Sequence, residues 1–455
     1  MVLDGYDAVV CGAGIAGIAA AHALAAAGLQ NVLIVDPDAP LSLTSDKSTE
    51  CYRNWWPGPG DAMVSLMNRS IDIMEEYARA SDNRFLINRR GYLFATAETE
   101  RIDIFEAQAL EAQKLGAGPL RKIEAGKSYV PANPNGFGNK LAGADLITDR
   151  SLVREHFPYL NPSTVAVLHT RRCGSLSAQQ LGMYLLEEAR AMGAEFRKAS
   201  FAGIETTGGR LSGVRLSAEG REESVTSSAL VLSTGPYLKA TAALAGTDLP
   251  VQVEKHIKIS LPDPEGVVPR AAPLIIWADP TNLPWSPDEC AALAESEDTQ
   301  RLLKTFPAGV HGRPVGAGDQ VLMYWTYDCF PQEQPEFPLD WDPYLPEITL
   351  RGMAVLVPGL KRYFDPMPKP YVDGGYYTKT DENRPLIGPL NVAGTYVCGA
   401  FSGFGIMAAC ASGELLAQHV TNGQLPSYAS AFDVARYSDP KYRQLLEGWN
   451  SSGQL

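Results

Sequence analysis

Residues 8–17 read AVVCGAGIAG, and the run NVLIVD starting at Asn31 closes on Asp36. Together they describe a mononucleotide-binding βαβ unit. Tyr6–Cys11 is apolar, as a strand covered on both faces must be. Gly12 permits a tight turn, Gly14 lets the backbone approach a pyrophosphate, and Gly17 allows close packing of helix on strand. The following helix runs to about Ala27 with Gly28 closing it. Its positive end suits a phosphate, which Ala13, Ile15 and Ala16 would flank. The second strand carries Asp36 toward a ribose hydroxyl.

The chain has 455 residues, enough for a large core and more than one domain. Its 45% hydrophobic and 20% charged content is that of a soluble globular protein. A net charge of −13 disfavours nucleic acid, which needs a basic face. Seven scattered cysteines and six histidines form no CxxC, HExxH or other ligand spacing, so neither a disulfide framework nor a metal site is expected. The opening MVLDGYD lacks a positive n-region, and the apolar run Ala8–Val35 is broken by glycines, His22 and Gln30–Asn31. The expectation is a cytoplasmic protein without a membrane span.

Further along, a polar loop covers 41–60 and a helix follows from about Asp61 to Ala80. Phe85–Ala95 reads as a strand pair, and 131–139 (PANPNGFGN) as a turn-rich loop. A small meander spans Phe196–Leu216 about Gly208–Gly209, and ALVLSTG at 229–235 is an apolar strand ending in a Gly turn at Thr234 and Gly235. Residues 250–370 hold strands such as His256–Leu261, Leu274–Trp277 and Val321–Tyr327 between Pro-rich loops, the pattern of an antiparallel sheet. From Tyr371 the α/β character returns, with TYVCG at 395–399, the Gly loop GAFSGFG and a helix over Ile406–His419. Nucleotide-binding pattern at both ends, around a differently built middle, favours FAD over NAD. A pyridine-nucleotide reductase needs a second GxGxxG in mid-chain and a redox cysteine pair, and neither is present.

The segment YYTKTDENRPLIGP–NVAGTYVCGAFSGFGIMAACASGELLA resembles the FAD-dependent D-amino-acid oxidase superfamily, which includes sarcosine, dimethylglycine and glycine oxidases. The matching positions are Thr380, Asp381, Pro385, Ile387, Gly388 and Pro389, then Gly399, Gly403 and Gly405, with STGPY at 233–237 as a middle nucleotide-contacting turn. The resemblance implies an α/β fold: a Rossmann-like FAD-binding domain of the glutathione-reductase type with an interleaved antiparallel-β substrate domain. Residues 1–84, 145–245 and 371–455 are assigned to the first, and 85–144 and 246–370 to the second. It places the flavin against Gly399 and Gly403, Phe404, Gly405, Ile406 and Met407, with Ser48 and Thr49 on the opposite loop. Backbone amides of Gly403–Met407 would face the negative charge of reduced flavin and raise its potential.

Departures from the family pattern bear on cofactor attachment and substrate. Gly375 stands where sarcosine oxidases carry a flavin-bonded cysteine, and 44–56 offers no histidine for a link of the dimethylglycine kind, so FAD is expected to be non-covalent. Met407 replaces a carboxylate-binding lysine. Thr49 and Arg53 keep the spacing of a second carboxylate-binding loop, and Arg53 either clamps a carboxylate or pairs with Glu50 or a phosphate. The strand VLMYWTYDC at 321–329 lacks the family's oxygen-activating lysine, which leaves O2 or another electron acceptor open. On that strand Trp325 and Tyr327 share a face and offer either an aromatic wall for a substrate amine or core packing. His256 and Lys258 are the remaining polar candidates. The expected activity is oxidation of the C–N bond of an amino acid or amine, the small-molecule substrate, by hydride transfer to the flavin. Oxidation of a 2-hydroxy acid, or a flavoprotein subunit using its tail (439–455) to meet a partner, are the alternatives.

Overall fold

The computed structural model describes residues 5–138 and 141–449; Asn139, at the end of the expected 131–139 loop, and the last residues of the tail, 450–455, lie outside them. Ala8–Cys11 and Val32–Asp36 pair in parallel, Val9 opposite Leu33. They sit in a six-stranded sheet whose order is Glu195–Lys198, Val32–Asp36, Ala8–Cys11, Leu230–Leu232, Thr395–Gly399, Leu386–Pro389. Only the last pairing is antiparallel. Alternate residues explain the unbroken apolar runs. Val10, Ile34 and Val231 pack under the helices Ile15–Ala26, Ala62–Ala80, Ala178–Ala191 and Gly405–Thr421. Val9, Leu33 and Leu232 pack on the other side against the meander strands and the helix Leu238–Leu244. Both faces are dry, so both sets must be apolar.

The expected first strand is shorter than its apolar pattern. Gly5–Tyr6 leaves the sheet and pairs with Arg221–Ser227 at the edge of the meander. The Phe85–Ala95 strand pair is also not formed: the chain turns through Leu86 and Gly91 at positive φ, and only Tyr92–Thr96 is a strand.

A second, ten-stranded sheet runs Pro331–Gln332, Gln252–Pro262, Gln320–Tyr324, His311–Pro314, Leu274–Trp277, Tyr92–Thr96, Ala166–Thr170, Ala144–Ile147, Leu120–Ile123, with Tyr371–Lys379 also pairing along Gln252–Pro262. It is mixed, since Leu274–Trp277 with Tyr92–Thr96 and Leu120–Ile123 with Ala144–Ile147 are parallel pairs. One face packs on the helix Leu345–Leu356 through Ile257, Ile275, Met323 and Trp325. On the opposite face Tyr92, Phe94, Leu168, Leu274 and Ile276 pack with Phe105 and Ala109 of the helix Arg101–Lys114 and with Cys51, Trp55 and Cys173. Residues 145–147, 166–170 and 371–379, grouped by sequence with the cofactor-binding segments, form strands of this larger sheet. Their short apolar patterns do not encode which sheet edge they join; long-range register does. Among the described residues no helix is long and apolar enough to cross a membrane.

Candidate active site

Two adjoining clefts lie between the sheets. The first, about 870 Å³, runs from the Gly12–Ala16 turn and Asp36 to Gly399, Gly403, Gly405 and Ile406, and includes Ser48, Thr234 and Gly235. At its N-terminal end the Ala13 amide donates to Asp36 Oδ2 at 2.7 Å and the Asp38 amide to Oδ1 at 2.9 Å. Burial pushes the Asp36 carboxyl up and these two amides oppose it. Ser45 Oγ accepts from the Ile15 amide at 2.9 Å, so the loop after Asp36 closes over the start of the helix.

Gly17 does not line the cleft. A Cβ there would stand 1.8 Å from the Gly12 carbonyl oxygen, so its role is close packing beneath the turn. Alanine normally improves a helix interior; here Gly17→Ala is expected to cost about 1–3 kcal/mol through overpacking. A thermal melt and the flavin-to-protein absorbance ratio both test this. An alanine variant as stable and as flavin-loaded as wild type would refute it.

At the other end, Ala400, Ser402 and Gly403 all take positive φ within four residues. Ala400 and Ser402 accept this strain with a side chain attached; Gly403 has no such option, because a Cβ would lie 2.3 Å from the Tyr377 ring. Strain concentrated in this way belongs to sites where backbone groups are aimed at a ligand.

The second cleft, about 490 Å³, joins the first at Tyr377, Ser402 and Gly403. Its wall contains Thr49, Arg53, Trp56, Tyr92, Leu274, His311, Tyr324, Phe404 and Met407. The Arg53 guanidinium lies 4.4 Å from the centre of the Trp56 ring, and the residue is 7% exposed. Burial lowers its pKa, but an arginine stays cationic. Glu50 is held elsewhere: its carboxylate accepts from Arg313 Nη2 at 3.0 Å and from the Ala178 amide at 2.9 Å. Burial, with the Arg53 charge adding to it, takes His311 down to about 4, against a hydrogen bond with the Gly309 carbonyl at 2.8 Å. The site thus combines the buried Arg53 cation, three tyrosines (Tyr92, Tyr324 and Tyr377) and a neutral histidine in an aromatic enclosure.

Three expected catalytic residues are not in either wall. Trp325 is 1% exposed, packs against Phe306 and donates its indole N–H to the Pro307 carbonyl at 3.1 Å. Tyr327 shares its face as expected, the rings 5.8 Å apart, but that face is the core above Leu345–Leu356. The alternation is right and the side is reversed: Tyr324, one residue before Trp325, points into the cleft. His256 lies behind the wall, stacked on Tyr377 with ring centres 3.9 Å apart. The sequence offers Tyr324 beside Trp325 and Tyr327 but does not single out Tyr92 or His311, because the three come from separate strands whose adjacency is set by register, Leu274 opposite Tyr92 and His311 opposite Tyr324. Thr380, quoted in the C-terminal motif, turns inward: its hydroxyl donates to the Arg384 carbonyl at 2.8 Å and accepts from the Arg384 amide at 3.0 Å.

Residues 7–419 match the family model described as DAO, FAD dependent oxidoreductase. The chain belongs to this family. It is an FAD-dependent oxidoreductase, and the first cleft fits its cofactor, with Asp36 and the glycine turn at one end and the strained loop at the other. No curated protein matches the sequence. Among solved structures the fold is similar to L-proline dehydrogenase from P. horikoshii, at 20% identity over 96% of this chain and 99% of that one, TM-score 0.72. It is similar to glycine oxidase from Geobacillus kaustophilus at 17% identity over 95% and 98%, TM-score 0.71. L-amino acid deaminase from Proteus vulgaris matches at 15% identity over 95% and 97%, TM-score 0.69.

Proposed function

We propose that this enzyme oxidises the C–N bond of an amino acid. The observation that carries the reading is Arg53, a buried guanidinium in a small aromatic cleft that opens onto the Gly403 end of the cofactor cleft. A guanidinium fork matches a carboxylate in a bidentate way. With the carboxylate on Arg53, the α-carbon and nitrogen fall toward Tyr324, Tyr377 and Gly403. FAD, when bound, supplies the hydride acceptor. The protein's own part is to fix the carboxylate, orient the α-hydrogen and keep water out, which Trp56, Tyr92, Phe404 and Met407 serve. The three similar structures described above are of a proline dehydrogenase, a glycine oxidase and an amino acid deaminase, which agrees with this reading. Anaerobic addition of amino acids, amines without a carboxylate and 2-hydroxy acids tests it: amino acids should bleach the flavin fastest. Bleaching by hydroxy acids alone would overturn the assignment.

Non-covalent attachment is part of the same proposal. Gly375 approaches Thr44 and Lys47, and neither is a nucleophile for flavin attachment. Cys398 lines the cofactor cleft, but burial raises its thiol to about 12, far from a reactive thiolate. Acid precipitation should therefore release essentially all the flavin into the supernatant; yellow colour retained in the washed pellet would contradict this.

A further inference from the structure

We propose that Tyr324 receives a proton from the substrate ammonium while passing its own to His256, so that Glu254, His256 and Tyr324 deliver the amine in its neutral form. This rests on the amino-acid reading of the cleft. The strand Gln252–Pro262 sends alternate side chains to one face, which puts Glu254 and His256 in line. Lys258 lies opposite Tyr324 on the neighbouring strand, so His256 meets that tyrosine diagonally.

The hydrogen bonds have a direction. Burial raises the Glu254 carboxyl, but hydrogen bonds from His256 and from Lys379 Nζ at 2.8 Å outweigh it and leave the group below its ordinary range. An ionised Glu254 can only accept, so His256 Nε2, 3.2 Å from its Oε2, carries the proton. Nδ1 then bears a lone pair that accepts from the Tyr324 hydroxyl in contact with it, the stronger of the two donors there, the Cys329 thiol being the other. The phenol oxygen is left to accept from the cleft that Tyr324 lines. Burial holds His256 below its ordinary pKa, so it rests neutral and can take a proton. The groups facing it are Glu254 on its own strand, Tyr377 and Lys379 on the next, Tyr324 on the other side, and Cys329 with Sγ 3.4 Å from Nδ1. His311 touches only the far edge of Tyr324, ring centres 5.0 Å apart.

The transfer balances without an external base. One N–H bond of the ammonium breaks as a new O–H bond forms on Tyr324. The original O–H bond breaks as N–H forms at His256 Nδ1. The nitrogen keeps the electron pair of its broken bond, which hydride loss from the α-carbon requires, and the imidazolium is neutralised by Glu254. Tyr324 touches the substrate and is the catalytic residue; His256 and Glu254 act through it.

The test is the rate of flavin reduction by a saturating amino acid, followed anaerobically across neutral to alkaline pH. Tyr324→Phe should reduce it about 10²–10⁴-fold near neutrality. The deficit should shrink about tenfold per pH unit as the substrate loses its proton in solution. His256→Gln should behave likewise, and carries the test alone if the phenylalanine variant loses flavin. Binding of 2-aminoisobutyrate, which has no α-hydrogen, should be retained within a few-fold in both, read from its perturbation of the flavin spectrum. A deficit equal at every pH overturns the relay, as does an acid limb that moves in His311→Gln but not in the Tyr324 and His256 variants. Wild-type flavin that no amino acid reduces overturns the amino-acid reading itself, before any variant is made.

Discussion

Replacing Arg53 with alanine should raise the KM for an amino acid by about 10²–10⁴-fold. A buried guanidinium–carboxylate pair makes two charge-assisted hydrogen bonds worth roughly 1.5–3 kcal/mol each, and every 1.4 kcal/mol is about tenfold in affinity. The loss should be selective. For the amine that corresponds to the same substrate without its carboxylate, the variant and wild type should differ by no more than a few-fold. Arg53→Lys should recover only part of the affinity, because an ammonium offers a point charge and not a planar fork. Arg53 also packs on Trp56, so flavin content and thermal stability must be recorded alongside. Equal losses for the acid and the carboxylate-free amine would remove Arg53 from the carboxylate site and leave it a structural role.

The largest stability effect is expected far from the chemistry. Glu382, 4% exposed, accepts from Arg436 Nη2 at 2.8 Å, Tyr437 at 2.8 Å and Tyr442 at 2.9 Å. This group clasps the C-terminal residues 434–442 to the turn that leads into the strand Leu386–Pro389. Arg436→Ala leaves an unpaired buried carboxylate and should cost about 3–5 kcal/mol. Replacing both partners by apolar side chains of similar volume should recover much of the loss. Burial raises the Glu382 carboxyl, but Arg436 and Tyr437 more than reverse it, so its folded pKa lies below the unfolded value of 4.5. The sign follows: the stabilisation is complete above that unfolded value and is lost as pH falls through the folded one. Denaturation curves of wild type and Glu382→Gln should therefore be far apart near neutrality and converge in acid. A gap that does not narrow would mean that packing, and not charge, holds the clasp.

What the sequence makes legible here is what is contiguous. The turn Gly12–Gly17 and Asp36 lie on one unit whose apolar periods, glycines and terminal acid all agree, and the structure forms strand, helix and strand there, with Tyr6 falling outside the first strand. The loop around Gly403 is likewise a single stretch, although its left-handed residues Ala400 and Ser402 carry no sequence mark of their strain. The substrate cleft is different. Arg53, Tyr92, His311 and Tyr324 come from four distant segments: the order of strands in the large sheet brings the last three together, and Arg53 reaches them from a separate two-stranded pairing of Cys51–Arg53 with Cys173–Ser175. Alternation along 321–327 correctly pairs Trp325 with Tyr327, but a period of two is silent about which face meets the core. Tyr376 and Tyr377 stand in the motif itself, yet their contact with the cofactor cleft depends on pairing with Gln252–Pro262.

The way the chain passes back and forth between the two sheets has a consequence for how the enzyme comes apart. Residues 371–379 complete the substrate-side sheet, while 386–399 supply two strands of the cofactor-side sheet. A chain ending before Tyr371 would thus be short of strands in both layers at once. Neither layer is an excisable module, and no single cut frees one intact. Grafting a new specificity onto this cofactor platform would therefore have to proceed by exchanging side chains on the inner face of the large sheet, because no cassette with two clean joints exists to be swapped.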